Sequence, residues 1–388
     1  MTSAQSGTTG RYLVLLEDDW SGATRELNRV AGIRAVDSAQ AGLAQPLWEA
    51  EGLVLRELGV ALVSANPDQL TSLTAAVDQP GPIALVEPER YVQAIAAPTE
   101  KATEVDETTF TWGLQAVGAP HSAVTGAGVR VAVLDTGLDL THPDLAGRTI
   151  TSKSFVEGEE VQDGHGHGTH CVGTSCGPRR PASGPGYGVA YEAEIYAGKV
   201  LSNAGSGADG GILAGIAWAI QNGCRVVSMS LGAAVRPGQP YSRTYERVAS
   251  RALARGTLII AAAGNESDRA HGGIAPVGHP ANCPSILAVG AVDVREKIAD
   301  FSSATVDAVG AVDIVGPGVD VYSSWPLPTR YRRISGTSMA TPHAAGIAAL
   351  IAQSTGASGY ELWARLAQTA RRLKLPSTDV GSGMVQAP

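Results

Sequence analysis

The sequence predicts an α/β protein, a mostly parallel sheet flanked by helices, preceded by a small α+β unit. Three observations carry that reading. The chain has 388 residues, more than one domain usually holds, so a large core plus a smaller unit is expected. From residue 130 onward, short apolar runs of buried-strand type (RVAVL, CRVVSMSL, TLIIAAA, SILAVGAV) alternate with helix-like stretches. The first hundred residues follow a different order of elements, strand, helix, one or two strands, helix, strand.

Residues 1–10, MTSAQSGTTG, are polar and glycine-rich and are expected to be disordered. RYLVLLED then reads as a strand, SGATRELNRVAG as a helix, LVLRELGVALVSA as one or two strands, NPDQLTSLTAAVDQ as an Asn-capped helix and PIALVEPERYVQAI as a closing strand. A βαββαβ order over residues 11–97 suggests a small ferredoxin-like sandwich. The following stretch, residues 98–111, is charged and poor in apolar residues, so it reads as an exposed linker where processing could occur. The larger unit spans residues 112–388.

In the larger unit, Asp135 stands at the C-terminal end of the RVAVL strand, just before Thr136 and Gly137 break it. In open α/β sheets that end carries function. His167 lies between Gly166 and Gly168, which let the chain approach a ligand closely, and Asp163 precedes it. Ser338 sits in GTSMATPH, near the start of the buried helix AAGIAALIAQS, with Pro342 inside the first turn. Asn265 follows the strand TLIIAAA and brings an amide to the same sheet end. A carboxylate, an imidazole and a hydroxyl in glycine-bounded turns are the parts of a catalytic triad, and an amide can donate to an oxyanion. His165, His167 and His170, with Cys171 and Cys176 nearby, also offer ligand types for zinc, and the metal assignment stays open.

VAVLDTGLDLTHPDL, DGHGHGTHCVGT, VVSMSLG, AAAGNES and GTSMATPHAAG, in this order, resemble the signature segments of the subtilisin-like serine proteases, the subtilases. DGHGHGTHC is most similar to the proteinase K branch. The resemblance implies a subtilisin-like fold and a serine endopeptidase working through an acyl-enzyme. In it Asp135 would orient the base, His167 would be the base, Ser338 the nucleophile, and Asn265 part of the oxyanion hole. His142, His170 and His343 fall on positions that are structural in the family. The N-terminal unit, including VEPERYVQ, resembles the family's inhibitory propeptide, which implies a zymogen whose N-terminal unit is both folding template and inhibitor.

The same resemblance implies that Gly205, Ser206 and Gly207 on one side, and Ser230, Leu231 and Gly232 on the other, pair with an extended peptide. Gly278 would floor the primary pocket, with Ala262, Ala263 and Gly264 along its wall. Asp209 would stand at the exposed rim of an outer pocket lined by Leu201, Ile212 and Leu231, where relatives often carry an aromatic residue. Asp144 matches a calcium-ligating position. The loop CGPRRPASGPGYGVA lacks the other ligands, so structural calcium is weakly supported and no cofactor is expected to be required.

A net charge of −8 with no basic block argues against nucleic acid and against anionic membrane surfaces, leaving peptides and the chain's own N-terminal unit as partners. No signal-like segment or membrane span is visible in the sequence, and the four cysteines read as buried thiols. A cytoplasmic address is therefore expected, with secretion by a non-Sec route as the alternative. Two other functional readings stand beside general proteolysis: a narrow leader-processing peptidase, and a non-catalytic binding protein whose N-terminal unit never leaves the cleft.

Overall fold

The computed structural model describes residues 7–17, 22–41, 46–95, 97 and 105–388. In the N-terminal unit the strands are β1 (Thr8–Leu16), β2 (Ala35–Asp37), β3 (Gly52–Leu55), β4 (Val60–Ser64) and β5 (Ile83–Ala94), with helices α1 (Ala23–Ala31) and α2 (Pro67–Val77). Pairing runs β5-β1-β4-β3, antiparallel throughout, which is the expected ferredoxin-like order, and the short β2 adds parallel to β3. LVLRELGVALVSA forms two strands because Gly59, at φ +63°, closes a tight turn. Asn66 caps α2 as anticipated, in a reciprocal capping box with Gln69. Thr8, Thr9 and Gly10, expected to be disordered, belong to β1, where Thr8 pairs with Arg90 of β5; residues 1–6 lie outside the described residues.

Alternation along these strands gives the sheet two apolar faces. Val14, Leu16, Val54, Ala61 and Val63 pack with Leu27 and Leu73 of the two helices. Leu13, Leu15, Leu53, Leu55 and Leu62 join the core of the larger unit.

The larger unit is built on seven parallel strands: β6 (Arg130–Asp135), β7 (Ile150–Ser154), β8 (Glu194–Lys199), β10 (Val226–Met229), β12 (Leu258–Ala262), β13 (Leu287–Val292) and β14 (Ile314–Pro317). Their order is β14-β13-β12-β10-β6-β8-β7. Two short edge segments, β9 (Ser206–Ala208) and β11 (Leu231–Gly232), lie outside this sheet and pair with β5. The helices that position the site are α3 (His167–Cys176), α4 (Asp209–Gln221), α5 (Arg243–Ala254) and α6 (Thr337–Thr355). The middle strands are buried on both faces, which is why they read as continuous apolar runs. The chain leaves β6 toward β8 and β7 on one side and toward β10 and β12 on the other, so a crevice opens where Asp135 ends β6.

Candidate active site

Asp135, His167, Ser338 and Asn265 converge at the carboxyl end of the sheet. The turn into α3 needs glycine: Gly166 has φ +103°, and a Cβ there would lie 2.3 Å from the Trp325 ring. One carboxylate holds that turn. Asp163 Oδ1 accepts from the amides of His165 (3.0 Å) and Gly166 (2.7 Å) and from the Thr136 hydroxyl (2.9 Å), while Oδ2 accepts from the Thr169 amide (2.8 Å) and hydroxyl (2.7 Å). Asp163 thus caps α3 and ties it to the end of β6. Lys199, fully buried, donates to the Thr136 carbonyl (2.6 Å) and to Asn203 Oδ1 (2.9 Å) and lies 3.2 Å from Glu159, bracing the same strand end.

His167 Nδ1 donates to Asp135 Oδ1 at 2.8 Å, and both side chains are 1% exposed. Burial disfavours the imidazolium, but the Asp135 charge and hydrogen bond outweigh it, so the His167 pKa lies well above its ordinary value. His167 Nε2 has no hydrogen-bond partner among the described residues. Ser338, the second residue of α6, donates from Oγ to the Ser230 carbonyl at 3.1 Å. Pro342, expected in the first turn, lies farther inside the helix. Its missing amide frees the Ser338 carbonyl, which accepts from Ser230 Oγ (2.8 Å) and Cys171 Sγ (3.6 Å) instead. The proline therefore leaves the Ser338 backbone pinned to Ser230, just after β10, and to α3 rather than merely interrupting a helix.

Asn265 is oriented by its oxygen. Oδ1 accepts from the Thr337 amide and hydroxyl, both at 2.9 Å, which leaves Nδ2 buried without a partner among the described residues and free to donate to a reacting group.

The tail of β5 runs through the cleft. Tyr91, Val92 and Gln93 pair with Ala208, Gly207 and Ser206, while Gln93 and Ala94 pair with Gly232 and Leu231 on the opposite side. Amides of Ala94 and Ile95 donate to the carbonyls of Gly205 (2.8 Å) and Ser230 (3.4 Å), and the Ala97 amide donates to Ser335 O (2.9 Å). Ile95 Cδ1 lies against Gly232. Val92 is fully buried in the apolar cluster that contains Leu201, Ile212 and Leu231. At the end of β12, Ala262, Ala263 and Gly264 stand beside Gly278, whose amide donates to the Ala263 carbonyl; a Cβ on Gly278 would lie 2.9 Å from the Ala233 carbonyl.

Asp209 departs from expectation. It is not exposed at a pocket rim but 1% exposed, with Oδ2 accepting from the Arg90 amide (2.9 Å) and Oδ1 receiving His279 Nε2–H (3.1 Å). As the first residue of α4 it faces the arriving backbone of β5, and that backbone covers it.

The histidine-rich segment does not form a shared metal site. His170 Nε2 donates to the Val321 carbonyl, and burial lowers its pKa to about 3. Burial also lowers His165, whose ring lies 6.2 Å from that of His167. Asp135, His167 and Cys171 do place ligand atoms within 4.8 Å of one another, but burial pushes the Cys171 thiol up and Nδ1 is committed to Asp135. All four cysteines are buried free thiols. Calcium does not fit at Asp144 either: Oδ1 accepts from the Ala182 amide (3.0 Å) and Oδ2 from the hydroxyls of Tyr187 (2.8 Å) and Tyr331 (2.9 Å), so donors fill the side a cation would need.

Several supporting residues were not singled out by sequence reasoning. Asp163 carried a signal, an acidic residue preceding a glycine-bounded helix start. Thr337, Lys199 and His279 carried none, because their partners are 72, 63 and 70 residues away.

The chain matches the subtilase family over residues 126–385. It is 42% identical over 304 residues to an alkaline protease of Alkalihalobacillus alcalophilus, covering 76% of this chain and 72% of that protein. It is 43% identical over 283 residues to subtilisin Savinase of Lederbergia lenta, covering 71% and 96%. With subtilisin E of Bacillus subtilis (strain 168) it shares 41% over 274 residues, covering 70% and 67%.

Proposed function

The chain belongs to the subtilase family of serine proteases, and we propose that Asp135, His167 and Ser338 are its catalytic triad and that it is made as a zymogen inhibited by its own N-terminal unit. The observation that carries this reading is the buried His167–Asp135 pair at 2.8 Å beside a helix-borne serine and an amide whose donor has no partner among the described residues. Asp135 holds the imidazole with Nδ1–H toward itself, which leaves Nε2 as the base. Ser338 Oγ, turned to Ser230 in this state, rotates to Nε2, loses its proton there and attacks a peptide carbonyl. The oxyanion that forms takes hydrogen bonds from Asn265 Nδ2 and from the Ser338 amide in the first turn of α6. The imidazolium returns its proton to the leaving amine, and water then releases the acyl group by the same route.

The Ile95 amide donates to the same Ser230 carbonyl that accepts from Ser338 Oγ, which supports the peptide bond that follows Ile95 as the processing site in place of a site within residues 98–111. Of that stretch, residues 98–104 lie outside the described residues, whereas Phe110 pairs with Gly186 and Thr111 caps the helix Trp112–Ala116. Apolar residues at Ile95 and Val92 favour substrates with aliphatic side chains at the scissile position and three residues before it. DGHGHGTHC, with Cys171 beneath the imidazole, favours placement in the proteinase K branch, and the buried thiols favour a reducing, cytoplasmic compartment.

Ser338→Ala should abolish labelling by a fluorophosphonate and leave the chain uncleaved between Ile95 and Ala96, as read by intact-mass spectrometry. Labelling retained in that variant would refute the nucleophile. Absence of labelling in the parent after prolonged incubation would favour the non-catalytic reading.

A further inference from the structure

Resting on the protease reading and deepening its specificity, we propose that Asp209 and His279 form a remote subsite that receives a basic side chain five residues before the scissile position. With Ile95 at that position, the residue concerned is Arg90. Its amide donates to Asp209 Oδ2 at 2.9 Å, and its Nη1 lies 3.4 Å from His279 Nδ1. A guanidinium has no acceptor, so the contact requires Nδ1 to accept and Nε2–H to point at Asp209 Oδ1, 3.1 Å away. The carboxylate thus fixes the tautomer that presents a lone pair to the arriving cation.

The site is built rather than incidental. Asp209 and His279 are each 1% exposed, and the Tyr245 ring packs edge-on against the imidazole, with centroids 4.8 Å apart. Tyr245 also donates from its hydroxyl to the Asp209 carbonyl at 3.4 Å. Next to the pair, a cavity of about 400 Å³ lies between Thr8, Tyr91, Val235, Gln239 and His279, so a side chain longer or differently branched than arginine has room. The residues between the two recognition points show why the contact is selective. Val92 is buried, whereas Tyr91 is 48% exposed and Gln93 is exposed, so an extended peptide meets the enzyme at its scissile residue, at the aliphatic third before it and at the basic fifth.

The test uses peptides of sequence acetyl-Xaa-Tyr-Val-Gln-Ala-Ile-Ala-Ala, with Xaa arginine, lysine, alanine or glutamate and the acetyl group preserving the amide that meets Asp209, cleaved by the processed product of the full-length chain. Rates are normalised to active sites counted with a fluorophosphonate. Arginine should exceed alanine about tenfold in kcat/KM, mainly through KM, because a charge-assisted contact far from the reacting bond adds binding to ground and transition states alike. Glutamate should fall below alanine. His279→Leu should collapse the arginine-to-alanine ratio toward one, and His279→Gln, which keeps a side-chain acceptor, should retain part of it. The isosteric Asp209→Asn should reduce the ratio while leaving the choice at the scissile residue unchanged, which keeps the question decidable if His279→Leu does not fold. Equal rates for arginine, alanine and glutamate in the parent would overturn the subsite and leave the protease reading standing. Failure to cleave any of the four, with no fluorophosphonate labelling, would overturn the protease reading itself.

Discussion

His167 illustrates how one pair of residues sets opposite demands on pH. The Asp135 carboxylate raises the imidazole's pKa well above 6.5, against the opposing effect of burial, so the ring stays protonated to a higher pH than a free histidine. In the proposed mechanism only the neutral ring can take the Ser338 proton, so kcat/KM should fall with acid along a limb whose midpoint lies above 6.5. A pH–rate profile on a peptide substrate measures this directly, and a midpoint below 6 would mean that the Asp135 interaction does not survive in the working enzyme. Stability runs the other way: a folded-state value raised above the unfolded one gives stabilisation that is complete below the unfolded value and is lost as pH rises through the folded value. The pair therefore adds least to stability where it is most active. His343, also buried and lowered to about 4, keeps Nδ1–H on the Met339 carbonyl and stays neutral throughout this range.

At the scale of single elements, β5 is the strand on which both units meet. Beyond the main-chain ladder to β9 and β11, it carries two carboxylates that cap helices of the larger unit. Glu87 accepts from the Ser242 hydroxyl (2.7 Å) and from the amides of Arg243 (3.2 Å) and Thr244 (3.0 Å) at the start of α5. Glu89, ion-paired with Arg11, accepts from the Gly210 amide (2.9 Å) at the start of α4. Each places negative charge where a helix dipole favours it, worth about 1 kcal/mol apiece. If the N-terminal unit inhibits as proposed, Glu87→Gln in a separately made N-terminal unit should weaken that inhibition about fivefold, read as an inhibition constant. An unchanged constant would show that the ladder alone holds the strand. The sequence made β5 legible as a closing strand and α2 legible by its cap, because both signals are local. It did not reveal that Glu87 and Glu89 cap distant helices, nor that Asp209 turns inward to meet Arg90, because such pairings depend on which edges the fold brings together. Asp135, His167, Ser338 and Asn265 were legible for the opposite reason. Each sits in a glycine-bounded turn whose own residues announce it, although the part played by Thr337, and the contacts by which Asp163 holds the turn into α3, had to be found in the structure.

For the molecule as a whole, the two units share one apolar core. Leu13, Leu15, Leu53, Leu55 and Leu62 from the second face of the N-terminal sheet lie in the same cluster as Ile212, Leu213 and Ile216 of α4 and Tyr245, Val248 and Ala252 of α5. Among the described residues, α1 and α2 cover the first face of that sheet, and of the unit's own helical residues Leu47 lies in the cluster on the second. Taken alone, so small a unit would expose one of its two apolar faces, and domains of this size are already marginal. The uncleaved chain should therefore unfold as one body, since opening the N-terminal unit exposes the face of α4 and α5 at the same time. Calorimetry of the full-length Ser338→Ala variant, which the proposed mechanism leaves uncleaved, should show a single transition whose calorimetric and van't Hoff enthalpies agree. The isolated segment 7–95 should show weak near-ultraviolet dichroism that strengthens when the larger unit is added. Two separate transitions in the full-length variant, the first removing only the N-terminal signal, would show that the shared cluster packs without coupling the units.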